Sequence, residues 1–264
     1  MGIKQTKKSQ VTIFVILAII IVALIGFFFI RPIRELFIPP TIGEMVPRAC
    51  IETAVKEPLN LTMLHGGKVK PELYLMYNNY TLNYLCYTNS WYKTCEMQIP
   101  FLKNEIESEI SAYAGKDIAS CMAQFEERLR GKGYSIKVSG SRTPEISIRP
   151  DKAVVAFNMT MTLEKDGETA VINPGMLQTE VKTNAYELIM VASSIQNYEA
   201  RFGDATPETY SAFYPNLVVE KKKQDDGSKV YIIRDINTGE RLQFATRSLA
   251  WPPGYYIPTM AAGA

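Results

Sequence analysis

The sequence predicts an α+β protein, in which an N-terminal transmembrane helix is followed by an extracytoplasmic body of amphipathic helices packed on antiparallel sheet. Three observations carry this expectation. Residues 11–30 contain no charge and almost no polar side chain. Two later stretches, 101–130 and 184–202, repeat apolar residues at helical spacing. Around and between them, apolar and polar residues alternate, and Gly, Asn and Asp mark the turns.

The chain opens with Lys4, Lys7 and Lys8 and no acid, a basic leader at residues 1–10. Residues 11–30 (VTIFVILAIIIVALIGFFFI) follow. A helix of that length spans about 30 Å, the thickness of a bilayer's hydrocarbon core. A cleaved secretory signal is the competing reading. Its apolar part is shorter and ends at small residues, whereas this one ends in Phe27-Phe28-Phe29-Ile30-Arg31-Pro32. Beyond the run stand Arg31 and Arg34, with Glu35 beside them. Basic charge therefore favours a cytoplasmic N-terminus and an extracellular body at the cell membrane. Residues 31–44, with three prolines and a glycine, read as a stalk.

Residues 45–203 read as the main α+β domain. Pro47 suits the first turn of a helix carrying Cys50, Ile51, Ala54 and Val55, and Pro58 is expected to stop it. His65-Gly66-Gly67 is a turn before a tyrosine-rich β-like stretch at 74–92. In 101–130 one apolar stripe is Phe101, Ile106, Ile110, Tyr113 and Ala114; a second is Ile118, Cys121, Met122, Phe125 and Leu129. Gly115 between them predicts a kink or break. Tyr134, Ile136 and Val138, then Ile146 and Ile148, then residues 154–163 alternate as strands, with Lys165-Asp166-Gly167-Glu168 as a hairpin turn. A helix over 184–202 buries Leu188, Val191, Ala192, Ile195 and Tyr198. Residues 204–250 read as a smaller β subdomain, with turns at Asp225-Asp226-Gly227 and Asn237-Thr238-Gly239. Residues 251–264 form a proline- and aromatic-rich tail.

Four cysteines, Cys50, Cys86, Cys95 and Cys121, all follow the apolar run. An even number outside the cytoplasm reads as two disulfides, with three possible pairings. Cys86 and Cys95 bracket a turn-like stretch and favour a local clip, which leaves Cys50 with Cys121. Asn60-Leu61-Thr62, Asn79-Tyr80-Thr81 and Asn158-Met159-Thr160 are glycosylation sequons that suit the same side.

Composition excludes several functions. The chain has 264 residues, of which 47% are hydrophobic and 21% charged, so it folds around a core. Residues 31–264 carry 26 basic and 27 acidic side chains, too balanced for a nucleic-acid binder. A single histidine and no CxxC argue against a metal site. No Gly-x-Ser-x-Gly accompanies His65-Gly66-Gly67, and there is no phosphate or dinucleotide loop, so no cofactor is expected. Glu105/Glu109 and Glu126/Glu127 read as solvated helix faces, not an acid–base pair. Asp225-Asp226-Gly227 lacks the closing Glu of a calcium loop. Catalytic residues are therefore not expected. Lys221, Lys222 and Lys223 suit a charged strand edge or a contact to anionic headgroups or acidic glycans. With Trp251, Tyr255 and Tyr256 of the tail they are the candidate interaction residues.

The opening Lys8-Ser9-Gln10-Val11-Thr12-Ile13-Phe14-Val15-Ile16 resembles that of uncharacterised membrane-anchored surface proteins of small-genome, DPANN-type archaea, where Lys-Gly-Gln-Val-Thr-Val-Phe is usual. The body is similar as well: a helix beginning Cys50-Ile51-Glu52, a Gly66-Gly67 turn before tyrosines, a helix carrying Cys121, a β-meander, a helix and a last strand with Phe244-Ala245. Ser9 departs from the usual glycine, and His65 from a common glutamine. The resemblance implies location and layout, and no activity. More weakly, residues 7–16 resemble archaeal prepilin-like signals, which would be cut between Ser9 and Gln10. Many such subunits carry a Glu where this chain has Phe14.

The sequence thus predicts a non-enzymatic, single-pass surface protein, anchored in lipid by residues 11–30. It would act as an interaction or envelope-assembly module through a protein partner or self-association. A pilin-like subunit of a filament or secretion apparatus is the second reading. A solute-binding or enzymatic ectodomain without a recognisable motif is the third.

Overall fold

The computed structural model describes residues 17–21 and 46–252. Residues 17–21 are helical and exposed. Among the described residues no helix is long and apolar enough to cross a membrane. The leader, most of the span expected at 11–30, the Ser9–Gln10 bond, the stalk, Tyr255 and Tyr256 lie outside them. The chain divides into two compact units, Met1–Met45 and Val46–Ala264.

The second unit is α+β. Helix α1 (Arg48–Leu64) leads to strands β1 (Tyr74–Tyr77), β2 (Tyr80–Tyr87) and β3 (Glu96–Met97). Helix α2 (Leu102–Gly131) precedes β4 (Ser135–Arg149), β5 (Lys152–Lys165), β6 (Glu168–Ile172) and β7 (Thr179–Lys182). Helices α3 (Ala185–Phe202) and α4 (Pro207–Phe213) precede β8 (Leu217–Lys223), β9 (Ser228–Asp235) and β10 (Arg241–Arg247).

The strands form two sheets. One has the order β1-β2-β10-β9-β8, with β3 also on β2; the other has β4-β5-β6, with β7 also on β5. Among the described strands every pairing is antiparallel except β2 with β10, which is parallel. That pairing changes the expected organisation. Residues 204–250 do not build a sheet of their own, because β10 lies directly on β2. A parallel partner arrives through a long crossover and leaves no hairpin signal in the sequence.

Helix α3 packs against strands of both sheets and against α2. Its buried face is Leu188, Ile189, Val191, Ala192 and Ile195, with Gln196 and Glu199 continuing it. Gln196 donates from Nε2 to the carbonyls of Leu85 and Ile99, both at 2.9 Å, and so ties α3 to the β2–β3 region. Gly203 caps α3 at φ +85°, where a Cβ would fall 2.2 Å from Leu249 Cδ1, so no other residue fits.

Two expected helix breaks are absent. Helix α1 continues through Pro58, although that residue cannot donate a backbone hydrogen bond. Its buried face, with Ile51, Val55, Leu59 and Met63, continues on both sides of the proline and packs on α2, β7 and β10. Helix α2 continues through Gly115 as 30 residues with ten buried side chains. One glycine costs a helix about 1 kcal/mol, too little to interrupt that burial. The two strands expected at 134–138 and 146–148 are one strand, β4, with a register shift between Gly140 and Pro144. There Gly140 has φ +100°, and a Cβ would sit 2.4 Å from the Asn158 carbonyl.

Cys50 is joined to Cys121 and Cys86 to Cys95, with Cα–Cα distances of 5.9 and 5.4 Å. The first ties α1 to α2; the second closes the loop between β2 and β3. On the chain-entropy estimate the longer loop is worth about 4.4 kcal/mol and the shorter about 2.7 kcal/mol. Urea unfolding of the full chain in detergent should therefore show a larger loss for C50A/C121A than for C86A/C95A. Equal losses would mean that loop closure is not what these bonds supply.

Candidate functional site

The lysine run occupies the end of β8, where alternation sends Lys221 and Lys223 to one side and Lys222 to the other. Lys221 donates from Nζ to Asp204 Oδ1 at 2.9 Å and to the Ala205 carbonyl at 2.8 Å. Lys223 lies 3.8 Å from Asp204, and Lys222 pairs with Glu220 at 2.9 Å. The run is therefore no uniform cationic strip. Lys221 fastens the strand to the turn after α3, and Lys222 and Lys223 remain exposed.

Trp251 lies edge-on to Tyr92, with ring centroids 4.8 Å apart. It shares a cleft of about 280 Å³ with Lys223, Asp225, Lys229 and Pro252. The structure thus brings together Lys223 and Trp251, two of the residues singled out in the sequence. Their neighbours explain why: the β8–β9 turn and the segment after β10 meet there. In that turn Asp226 accepts from the Ser228 amide and hydroxyl, both at 2.9 Å. Arg247 spans the same corner, stacked over Trp91 at 4.5 Å and donating to the Asp226 and Thr88 carbonyls.

The floor of the cleft is a buried charge network that sequence reasoning missed. Glu199, on α3, is 0% exposed, and Lys229, on β9, is 5% exposed. Lys229 Nζ donates to Glu199 at 2.8 Å, to Asp204 at 3.2 Å and to the Gly203 carbonyl. Tyr231 donates its hydroxyl to Glu199, and the Ala205 amide donates to the same carboxylate at 3.0 Å. Burial and the Glu199 charge push the Tyr231 phenol far above its usual range. Burial alone would raise Asp204, but Lys221 and Lys229 outweigh it and hold that carboxyl below the usual carboxylate range. All three Lys229 protons are engaged, so the amine is a fastener and not a nucleophile. The only signal in the sequence is a charge at helical spacing on the apolar side of α3.

Between α3 and α4 lies a larger groove, about 530 Å³, lined by Ser194, Tyr198, Tyr210, Phe213 and Tyr214 among others. Burial raises the Tyr210 phenol above its usual value, and the Ser194 hydroxyl lies 3.4 Å from it. The sequence analysis singled out neither this groove nor the short helix α4 that arranges its aromatic side chains.

The remaining sequence candidates have structural roles. Glu105 and Glu109 are not a freely solvated pair. Both hold Lys68, and Glu109 accepts from the Val69 amide at 3.0 Å. Burial would lower Lys68, but the two carboxylates outweigh it and raise it. Glu126 is buried against Arg142 at 3.3 Å and Arg130 at 3.7 Å, whereas Glu127 is exposed. His65 shares a 3.0 Å hydrogen bond with the Val69 carbonyl across its turn. Asn60, Asn79 and Asn158 are all exposed. Among the described residues no three His, Cys, Asp or Glu side chains come together as a metal site. Compared with protein-family models, curated proteins and solved structures, the chain gives no match.

Two outcomes test this network and a second buried carboxylate, Asp235. K229M strands a buried carboxylate and should cost about 3–5 kcal/mol, while K229M/E199L should recover most of that loss; chemical unfolding measures both. Asp235 is held low as well: burial would raise it, but the Asn184 side chain and the Thr238 and Asn237 amides outweigh that. With folded values below the unfolded ones, Asp204 and Asp235 stabilise the fold fully above the unfolded carboxylate value of about 3.9. That contribution disappears as pH falls through the depressed values. Acid titrations followed by circular dichroism should therefore show a shallower acid loss in D204N/D235N.

Proposed function

We propose that this chain is a single-pass surface protein of the cell membrane, with its N-terminus cytoplasmic and its body extracellular. The body acts as a non-enzymatic interaction or envelope-assembly module. The observation that carries the reading is the pair of disulfides, which take up all four cysteines of a chain whose residues 11–30 are uncharged. Disulfides persist where the surroundings are oxidising. Three exposed sequon asparagines fit the same side. The resemblance to anchored surface proteins of small-genome archaea supports that layout.

Contact is the work such a body suits. Lys223 and Trp251 stand together at one cleft, and an aromatic groove lies on another part of α3. The partner is a protein of the envelope or a second copy of this chain, with no nucleic acid involved.

The test starts from native membranes. Thiol mapping should find no free cysteine, and protease applied to intact cells should remove the body. Lysine-reactive crosslinking should then recover a protein partner or a self-contact. Free thiols with a protected body would overturn the location; a body crosslinked to nothing would overturn the role. The N-terminal peptide separates the filament reading, since a chain beginning at Gln10 has been processed as a prepilin and one beginning at Met1 or Gly2 keeps its anchor.

A further inference from the structure

The sheet containing β10 ends on one side at β8 and on the other at β1, with the two-residue β3 beside β1 on β2, and the two long edges are protected very differently. Strand β8 carries Lys221, Lys222 and Lys223 and is packed by α4. Charge and cover of this kind stop an edge from recruiting another strand. Strand β1, at the opposite edge, is Tyr74-Leu75-Met76-Tyr77 and holds no charge. Leu75 and Tyr77 pack inward on Leu82, Tyr84, Val230 and Ala245. Tyr74 and Met76 point outward, 49% and 59% exposed.

At the end of that bare edge stands a sequon. Asn78 and Asn79 form the two-residue turn between β1 and β2, with φ of 47° and 67°. Asparagine tolerates those angles, so the turn accounts for both residues. It does not account for Thr81, which completes the sequon on β2 opposite Met76. The other two sequons are bound into their elements. Thr62 is fully buried, its hydroxyl donating to the Pro58 and Leu59 carbonyls within α1. Asn158 lies in β5, the central strand of its sheet, opposite the Gly140–Pro144 irregularity. Asn79 is the one of the three whose asparagine stands at a chain reversal.

We propose that Asn79 is a site of N-linked glycosylation, in which its side-chain Nδ2 bonds to the anomeric carbon of a lipid-linked oligosaccharide as the lipid phosphate leaves and the nitrogen gives up a proton, and that the oligosaccharide shields the β1 edge. This rests on the body facing outward. Strand β1 extends about 13 Å at 3.3 Å per residue, a length that a few hydrated sugars rooted at its end cover. The glycan does at this edge what the lysines do at β8: it keeps a second copy of the strand from adding to the sheet.

Glycopeptide mapping of the full chain from its own membranes should find an oligosaccharide on the peptide holding Asn79. T81V removes the sequon while keeping a β-branched strand residue, and N79D removes it while keeping a side chain that tolerates the turn. Each should elute larger than wild type on native sizing at equal concentration, even though each has lost the glycan's mass. M76K added to T81V places a charge on the edge and should restore the smaller species. Protease treatment of intact cells separates glycosylation from location. An accessible body with Asn79 bare overturns this inference alone; a protected body overturns it together with the proposed location. A glycan on Asn79 with T81V and N79D no larger than wild type overturns the shielding role, as does association that M76K fails to reverse.

Discussion

A carboxylate with no access to water sets the terms for much of this structure. Glu199 is buried at the end of α3, and an unpaired charge there would be intolerable. Its three partners come from two places: Lys229 and Tyr231 on β9, and the Ala205 amide just beyond α3. Satisfying Glu199 therefore fixes β9 against α3 and fixes how the chain leaves the helix. Gly203 delivers its carbonyl to Lys229, and only a glycine can hold that angle beneath Leu249. Asp204 then gathers Lys221, Lys223 and Lys229, so the end of β8 is oriented by the same cluster.

From that anchor the rest of the body is assembled by ordinary burial. Helix α3 contacts both sheets, while α2 supplies most of the cover of β4 and α1 packs on β7. The outer corners are fixed by other means. Cys50–Cys121 fastens α1 to α2, and Cys86–Cys95 fastens the loop between β2 and β3. Arg247 adds a second fastening to that loop through Trp91 and the Thr88 carbonyl. Charge pairs on α2, such as Lys68 with Glu105 and Glu109, bind loops to the helix surface.

What could be read in the sequence depends on locality. The helices α2 and α3, the β5–β6 and β9–β10 hairpins, and the disulfide between Cys86 and Cys95 all announce themselves within a short window. Pro58 and Gly115 misled because local propensity was weighed without the burial that overrides it. The β2–β10 pairing was invisible, since nothing in either strand names a parallel partner beyond α2, α3 and all of the second sheet. The meeting of Lys223 with Trp251 follows from the β8–β9–β10 meander, which sets the end of β10 beside the β8–β9 turn, and it needed the two hairpins to be read together. Glu199 and Lys229 went unmarked because a sequence does not reveal which two buried positions will face each other.

The parallel ladder also imposes an order on biosynthesis. Thr88 and Arg247, at its end, are 159 residues apart. At roughly 5–20 residues per second, a growing chain makes β2 about 8–30 s before β10 exists to cover it. During that interval β2 has only β1 and β3 beside it, and its other edge is open while the polypeptide is still being extruded. The Cys86–Cys95 loop needs no later residue. It can close at once and keep β2 and β3 in register until the final strand arrives. The crosslink that adds less to the finished molecule is thus placed where a nascent one is most exposed to mispairing.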